Sequence, residues 1–336
     1  MKNRPYFIAE IGVNHEANIK LAKKIILDAK MSGADAVKLQ AYKAEKLASK
    51  YAKAYWDKKE ESETSQLKLY KKFDKLTNSD YDEIISYCKK IKIDFIITPF
   101  DLDCVDFFKN KVKSFKISSS DITNFPLIEK VAKTGKPLIL STGASNMKEI
   151  KNVLKFLKNK NNNISLLHCI LNYPTKRYDA NLEMIEDLKK LKLPVGISDH
   201  TKPVDSHDIL IYSVIKGVRI IEKHFTNNKK KKGNDHFHSF DKNDLKNFKI
   251  KLDDLYKILG KDKKNYLSSE KSSRTNARRS LFYKDYIKKN QRLNKDHFIS
   301  LRPACGITPD KIRLLLGKTM KLNRKKGDLV KFSDFK

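Results

Sequence analysis

The sequence predicts an α/β fold, a parallel (β/α)8 barrel followed by a small β-rich module, and three observations carry that prediction. Short apolar runs alternate with longer segments of helical periodicity from the N-terminus to about Phe225, the pattern of repeated βαβ units. Eight such runs occur, the number that closes a barrel. After Phe225 the alternation stops, and the later strands are short and separated by turn residues.

Taken in order, the barrel strands are expected at Tyr6–Glu10, Ala36–Gln40, Phe95–Thr98, Ser114–Ile117, Pro137–Ser141, Ile164–His168, Val195–Ser198 and Arg219–His224. Helices are expected between them at Ile19–Ser32, Asp80–Lys90, Phe125–Lys133, Met147–Leu157, Leu182–Leu191 and Ser206–Lys216, most opened by Asn, Asp or Ser, whose side chains cap helix N-termini. The connection from Ala41 to Asn78 is long and holds Tyr42, Tyr51, Tyr55 and Trp56. An insertion of that length after a barrel strand is usually functional, so it is expected over the mouth of the active site. A lone helix, Lys242–Leu259, precedes a stretch from Gly260 to Arg274 rich in Lys, Ser and Asn, which reads as a linker. Short strands at Ser280–Tyr283, His297–Leu301, Lys321–Leu322 and Leu329–Lys331 then form the β-rich module. The expected organisation is a barrel over 1–258, a linker over 259–275 and the module over 276–336.

Composition narrows the setting. A chain of 336 residues exceeds the usual span of one hydrophobic core, in keeping with two domains. Cys88, Cys104, Cys169 and Cys305 contain no C-x-x-C pair, which argues against a disulfide framework and a structural zinc site and fits a cytoplasmic protein. The N-terminus runs straight into a strand without an apolar signal segment, and no apolar run approaches the ~20 residues of a membrane span. Lys+Arg number 72 against 40 Asp+Glu, a formal charge of +32 that raises nucleic-acid binding as a question. The lysines are scattered over nearly every helix, with one dense run from Lys229 to Lys232, so they read as solvated surface and no nucleic-acid partner is expected.

Both faces of a parallel barrel strand are buried, so a polar residue inside one needs a reason. Here polar residues gather at the strand C-termini: Glu10, Lys38, Gln40, Thr98, Lys116, Ser119, Ser141, Asn172, Tyr173, Ser198, His200 and His224. That is the face where barrel enzymes place their chemistry. Two readings of Lys38 and Lys116 are open. They are either structural, each paired with a carboxylate such as Glu10 or Asp121, or they join Thr98, Ser119, Ser141 and Ser198 as donors to an anion carrying phosphate and carboxylate, such as phosphoenolpyruvate. His200 and His224, on successive strands, are candidate ligands for one ion, with Glu222 and Asp199 as partners behind them; His15 and His236 compete for that role. His168 and Cys169 read as structural.

The sequence also carries Ala9-Glu10-Ile11-Gly12-Val13-Asn14-His15, Ala34-Asp35-Ala36-Val37-Lys38-Leu39-Gln40, Thr98-Pro99-Phe100-Asp101, Phe115-Lys116-Ile117-Ser118-Ser119, Leu140-Ser141-Thr142-Gly143, Ser198-Asp199-His200-Thr201, Glu222-Lys223-His224-Phe225 and Gly233-Asn234-Asp235-His236. In this order and spacing they resemble the sialic acid synthase family of bacterial nonulosonate synthases. The resemblance implies a TIM barrel followed by an antifreeze-like (SAF) domain, carried here by Arg278-Arg279-Ser280-Leu281 and Leu301-Arg302-Pro303, in a domain-swapped homodimer. It implies condensation of phosphoenolpyruvate with N-acetylmannosamine and water to a nine-carbon sugar acid and phosphate. The alternative acceptor is a diacetamido-dideoxy hexose, giving legionaminic or pseudaminic acid. By matching position, Lys38, Thr98, Lys116, Ser119, Ser141 and Ser198 bind phosphoenolpyruvate, and His200 and His224 hold Mn²⁺ or Mg²⁺. Gln40, Asp121, Tyr173, Asp235 and the partner's Arg302 meet the sugar, while Glu10, with Lys38 and Lys116, carries the catalysis. Asp121 stands where the family often has Glu and Asn234 where it usually has Pro, departures that leave the acceptor open.

Overall fold

The structure, a computed structural model, describes residues 4–56, 58–59, 61–161, 163–233 and 235–336; Asn234 lies outside them. It divides into two units, Met1–Leu259 and Gly260–Lys336.

In the first unit eight parallel strands close in sequence order, β8 pairing with β1. They are β1 (Tyr6–Glu10), β2 (Ala36–Ala41), β3 (Asp94–Pro99), β4 (Ser114–Ile117), β5 (Leu138–Ser141), β6 (Ile164–Cys169), β7 (Val195–Asp199) and β8 (Ile220–His224). The helices are α1 (Ile19–Met31), α2 (Ala44–Leu47), α3 (Gln66–Phe73), α4 (Asn78–Lys90), α5 (Leu102–Phe108), α6 (Phe125–Ala132), α7 (Met147–Leu157), α8 (Met184–Lys189), α9 (Asp208–Ile215) and α10 (Lys242–Leu259). Their starts follow from local chemistry. Thr77 with Asp80 and Asn146 with Glu149 form reciprocal capping boxes on α4 and α7, and Asn18 accepts from the Leu21 amide at the head of α1. α2, α3 and α5 are additions to the sequence expectation. α5 is short and capped by Asp101, which accepts from the Cys104 amide at 2.9 Å, and its 7 residues are too few to register as a period. Among the described residues no helix is long and apolar enough to cross a membrane.

Strand parity organises the barrel. Alternate residues face the surrounding helices: Phe7, Ala9, Val37, Leu39, Phe95, Ile97, Phe115 and Ile117 join the large core with α1, α4, α6 and α7. The other set faces inward, where Ile8, Ala36, Ile96, Ile139 and Leu167 form a separate apolar layer. One step further along the same strands, with the same parity, stand Glu10, Lys38, Thr98, Lys116, Ser141, Cys169, Ser198 and Glu222. The barrel thus has an apolar floor and a polar upper storey. Gly196 lies within the floor. A methyl group there would meet the Ile220 carbonyl and stand 2.6 Å from Leu167 Cδ2. Gly196→Ala is expected to lower stability by about 1–3 kcal/mol or more through overpacking, read as a fall in thermal midpoint.

The second unit has its own core, built on Leu281, Tyr283, Ile287, Leu293, Leu315, Met320 and Val330. β9 (Ser280–Tyr283) and β10 (Phe298–Leu301) form an antiparallel pair, and Leu329 bridges to Phe282. Pairing expected at Lys321–Leu322 falls instead at Thr319 and Met320. The segment read as a linker holds a short helix, α11 (Lys271–Asn276), preceded by a turn at Ser268–Glu270. Glu270 accepts from the Leu267 amide at 2.6 Å, and no residue of α11 is buried, so hydrophobic patterning gave no signal for it.

Candidate active site

The inward-facing storey is built by neighbouring strand ends in register. Glu10 stands beside Lys38 on one side and His224 on the other, Gln40 beside Thr98, and Ser198 between Cys169 and Glu222. Lys38 is ion-paired with Glu10 and donates to Thr98 Oγ1 at 3.0 Å. Lys116 reaches both carboxylate oxygens of Glu222 at 2.9 Å. Glu222 also accepts from Ser198 Oγ at 2.9 Å and lies 3.9 Å from Lys38. The lysines are therefore paired, as the structural reading supposed, but Lys116 takes Glu222 and not Asp121. Asp121 accepts from Asn124 Nδ2 at 2.9 Å instead. Each ammonium has three donors, so both retain N–H capacity for a further acceptor.

Burial alone would raise the Glu222 carboxyl, but Lys116 and Lys38 hold it at about 2. Burial pushes Lys116 below the ordinary lysine range, with Lys38 adding to the effect against Glu222. Lys38 moves the other way, because Glu10 and Glu222 outweigh its burial. The Ser141 hydroxyl is buried with no hydrogen-bond partner among the described residues, and Ser119 Oγ accepts from the Gly143 amide at 3.0 Å. A small polar recess is thus lined by the Lys38 and Lys116 ammoniums, the Glu222 carboxylate and the side-chain hydroxyls of Thr98, Ser118, Ser119, Ser141 and Ser198.

Above it lie the imidazoles. His200 and His224 meet edge to face with centroids 5.4 Å apart, and Tyr173 packs on His200 at 4.3 Å with the rings tilted by 35°. His200 Nδ1 bonds the Ile170 carbonyl at 2.9 Å, so that nitrogen carries the proton, and Nε2, 3.4 Å from Ser198 Oγ, keeps the lone pair. His224 Nδ1 stands 3.2 Å from Asp235 Oδ2, outside hydrogen-bonding geometry. His238 adds a third ring, 4.7 Å from that of His224. His224, Asp235 and His238 offer ligand atoms within 4.8 Å of one another. Burial would raise Asp235, but His224 beside it holds the carboxyl well below the usual range; burial and then His224 keep His238 far below its ordinary value, hence neutral. A carboxylate and imidazole nitrogens are donors that a first-row divalent cation takes, and buried ring nitrogens without partners are what a bound ion would satisfy.

Two of the other assignments are overturned. Asp199 has outward parity and pairs with Lys223 at 2.7 Å, so it does not stand behind His200; Glu222 serves Lys116, not the histidines. The competing ligands are engaged elsewhere. His15 Nδ1 accepts from the Ala17 amide at 3.0 Å, and His236 bonds Thr226 Oγ1 at 2.7 Å and faces Glu16 at 3.3 Å. His168 points out of the barrel to the Ala180 carbonyl, as a structural residue would. Cys169 points inward, with its sulfur 3.8 Å from His200 Nδ1, and belongs to the recess. Sequence reasoning missed His238, gave Glu222 to the histidines and read Cys169 as structural. Parity with His224 was the signal for Glu222.

A cavity of about 450 Å³ opens over the imidazoles. Gln40, Asp121, Tyr173, His224 and Asp235 form its base. Its wall comes largely from the insertion after β2: Tyr55, Trp56, Leu69, Tyr70 and Phe73. Arg302 lies in the second unit and is exposed.

Comparison with known proteins places this geometry. The model of the NeuB family matches residues 25–264. The chain is 39% identical to the N,N'-diacetyllegionaminic acid synthase of Campylobacter jejuni over 96% of this chain and 98% of that one. It is 32% identical to mouse N-acetylneuraminate-9-phosphate synthase, covering 98% of this chain and 92% of the relative. The crystal structure of a sialic acid synthetase from Leptospira borgpetersenii in complex with citrate superposes with a TM-score of 0.70 at 32% identity, over 81% of this chain and 90% of that one. With a barrel whose polar storey and imidazole cluster lie at the strand C-termini, the chain belongs to the NeuB family and is a phosphoenolpyruvate-dependent condensing synthase.

Proposed function

We propose that the enzyme condenses phosphoenolpyruvate with an N-acylated amino-sugar aldehyde and water, and that its acceptor is a neutral diacetamido-dideoxy hexose in preference to N-acetylmannosamine. One observation carries the reading: the paired lysines and hydroxyls form a recess directly beneath the imidazole–carboxylate cluster, so an anion below and an aldehyde above would meet at one point.

In this reading Lys38 and Lys116 neutralise the phosphate and carboxylate of phosphoenolpyruvate, while Thr98, Ser119, Ser141 and Ser198 orient it. His224 and Asp235, with His200 beside His224, would hold a divalent cation, which when bound supplies Lewis-acid polarisation of the aldehyde. The phosphoenolpyruvate methylene carbon bonds to the aldehyde carbon, the aldehyde oxygen gains a proton, water adds to the resulting cationic carbon and phosphate leaves. Glu10 is the group for that water's proton, since it is buried beside Lys38 and is held by the Gly12 amide at 2.7 Å and Gln40 Nε2 at 3.4 Å.

The acceptor preference rests on the cavity. Its wall is apolar and aromatic, suited to the methyl groups of a second acetamido group and a deoxygenated C6. Among the described lining residues Glu61, Asp121 and Asp235 are acidic and no lysine or arginine occurs, so a phosphorylated sugar is disfavoured. Phosphate release should accordingly be fastest with the diacetamido sugar, slower with N-acetylmannosamine, and lost with a chelator. Release from none of them would overturn the synthase assignment. Trp56→Ala is expected to raise KM for the favoured sugar roughly tenfold, the worth of one aromatic contact, while KM for phosphoenolpyruvate stays the same.

The alkaline limb follows from Lys116. Its pKa is lowered by burial, and Lys38, Glu222 and Cys169 face it. The protonated form binds the anion, so binding is present at low pH and is lost as pH rises through a value below the ordinary lysine range. A pH profile of kcat/KM for phosphoenolpyruvate should fall before unperturbed lysine titrates.

The second unit is read as the antifreeze-like domain, with Arg302 reaching the sugar in the partner of a homodimer. Arg302→Ala and Lys116→Met, each strongly impaired alone, should regain activity when co-expressed, because one of the two sites in the mixed dimer then has both parts intact. No recovery would sink the exchanged-domain arrangement.

A further inference from the structure

We infer that His238 is itself a metal ligand, joining His224 and Asp235, beside His200, in an imidazole-rich site with one carboxylate that selects a first-row transition dication over Mg²⁺. The inference rests on the synthase reading only in supposing that a divalent cation resides there.

His238 is fully buried, yet neither of its ring nitrogens has a hydrogen-bond partner among the described residues. That sets it apart from the neighbouring histidines. His15, His168, His200 and His236 each bond a backbone or hydroxyl group. A structural histidine in a core is retained by such bonds, and a buried ring with two bare nitrogens is costly unless something else binds it. His224 Nδ1 is bare in the same way.

Backbone geometry brings the ligands together. His236–His238 is a 3-10 turn with Asp235 as its N-terminal flank. Residues three apart eclipse in such a turn, so Asp235 and His238 project to one side, toward His224 at the end of β8. The 3.2 Å between His224 Nδ1 and Asp235 Oδ2 matches the ~3 Å that separates neighbouring ligands of one ion at ordinary bond lengths. Tyr173 packs against the rings of His200, His224 and His238 and limits their rotation. Imidazoles with one carboxylate suit Mn²⁺, Fe²⁺, Co²⁺ or Zn²⁺, whereas Mg²⁺ demands a shell of oxygens.

The test is metal affinity of the full chain, measured by titration calorimetry with Mn²⁺, Co²⁺ and Mg²⁺, for wild type, His238→Ala and His238→Phe. Both variants should bind Mn²⁺ and Co²⁺ at least ~10-fold more weakly, since even residues behind a ligand change affinity by that much, with near-ultraviolet circular dichroism reporting the fold. Wild type should bind Co²⁺ more tightly than Mg²⁺. Wild-type affinity in either variant would overturn the ligand role. Should the variants not fold, anomalous scattering from wild-type crystals grown with Mn²⁺ decides: a peak in bonding contact with His238 supports the site, and a peak out of its reach overturns it. Phosphate release from the same wild-type preparation separates the two claims. Turnover with unchanged affinity in the variants removes His238 alone, and tight metal binding without turnover on any acceptor removes the synthase reading alone.

Discussion

Lys116→Met is expected to reduce kcat/KM for phosphoenolpyruvate by about two to three orders of magnitude, the usual loss when one preorganised donor to a developing charge is removed, with little change in KM for the sugar. The same change strands Glu222, which keeps only Ser198 at 2.9 Å and Lys38 at 3.9 Å. Breaking one partner of a buried pair costs about 3–5 kcal/mol, so the variant should also unfold at lower urea concentration. The two effects can be pulled apart. Lys116→Met combined with Glu222→Gln removes both charges and should recover much of the stability while leaving phosphoenolpyruvate use as poor as in the single variant. Catalysis that returned with stability would mean that the pair is only structural.

His224→Ala is expected to lower phosphate release by roughly three orders of magnitude at saturating metal, the several kcal/mol that Lewis-acid polarisation contributes. His224 is the hub of the upper storey, beside Glu10 in the sheet, 3.2 Å from Asp235 and against the rings of His200 and His238. Its removal also lifts the influence that holds Asp235 ionised, so the carboxyl should titrate closer to its ordinary range. Single-turnover phosphate release, with Mn²⁺ affinity measured alongside, checks the expectation. Unchanged turnover would refute the metal assignment.

Much of this was legible in one dimension, and the reasons are physical. Each barrel strand is buried on both faces, so Ala36–Ala41, Ser114–Ile117 and Ile220–His224 stand out as apolar runs between capped helices, and their ends were placed within a residue. The polar strand ends were visible for the same reason, as breaks in apolar text. Parity was legible too but went unused: Asp199 and Lys223 are odd-numbered neighbours of the inward residues Ser198, His200, Glu222 and His224 and had to face out, where they pair. The wall of the cavity carried a second unread signal. Gln66, Leu69, Tyr70 and Phe73 are spaced i, i+3, i+4 and i+7 behind the cap Ser65, one face of α3, and all four line the cavity. His238 could not be read in advance. Its partners lie on β8 and in a loop, and only chain closure joins them.

The aromatic wall has a consequence for how such enzymes diversify. It is drawn largely from one continuous stretch between β2 and α4, whereas the anion recess is assembled from strand ends spread around the whole barrel. Acceptor choice is therefore portable. Grafting residues 42–77 from a relative with a different sugar should retune selectivity in a single exchange, and leave the charge-neutralising machinery beneath it untouched.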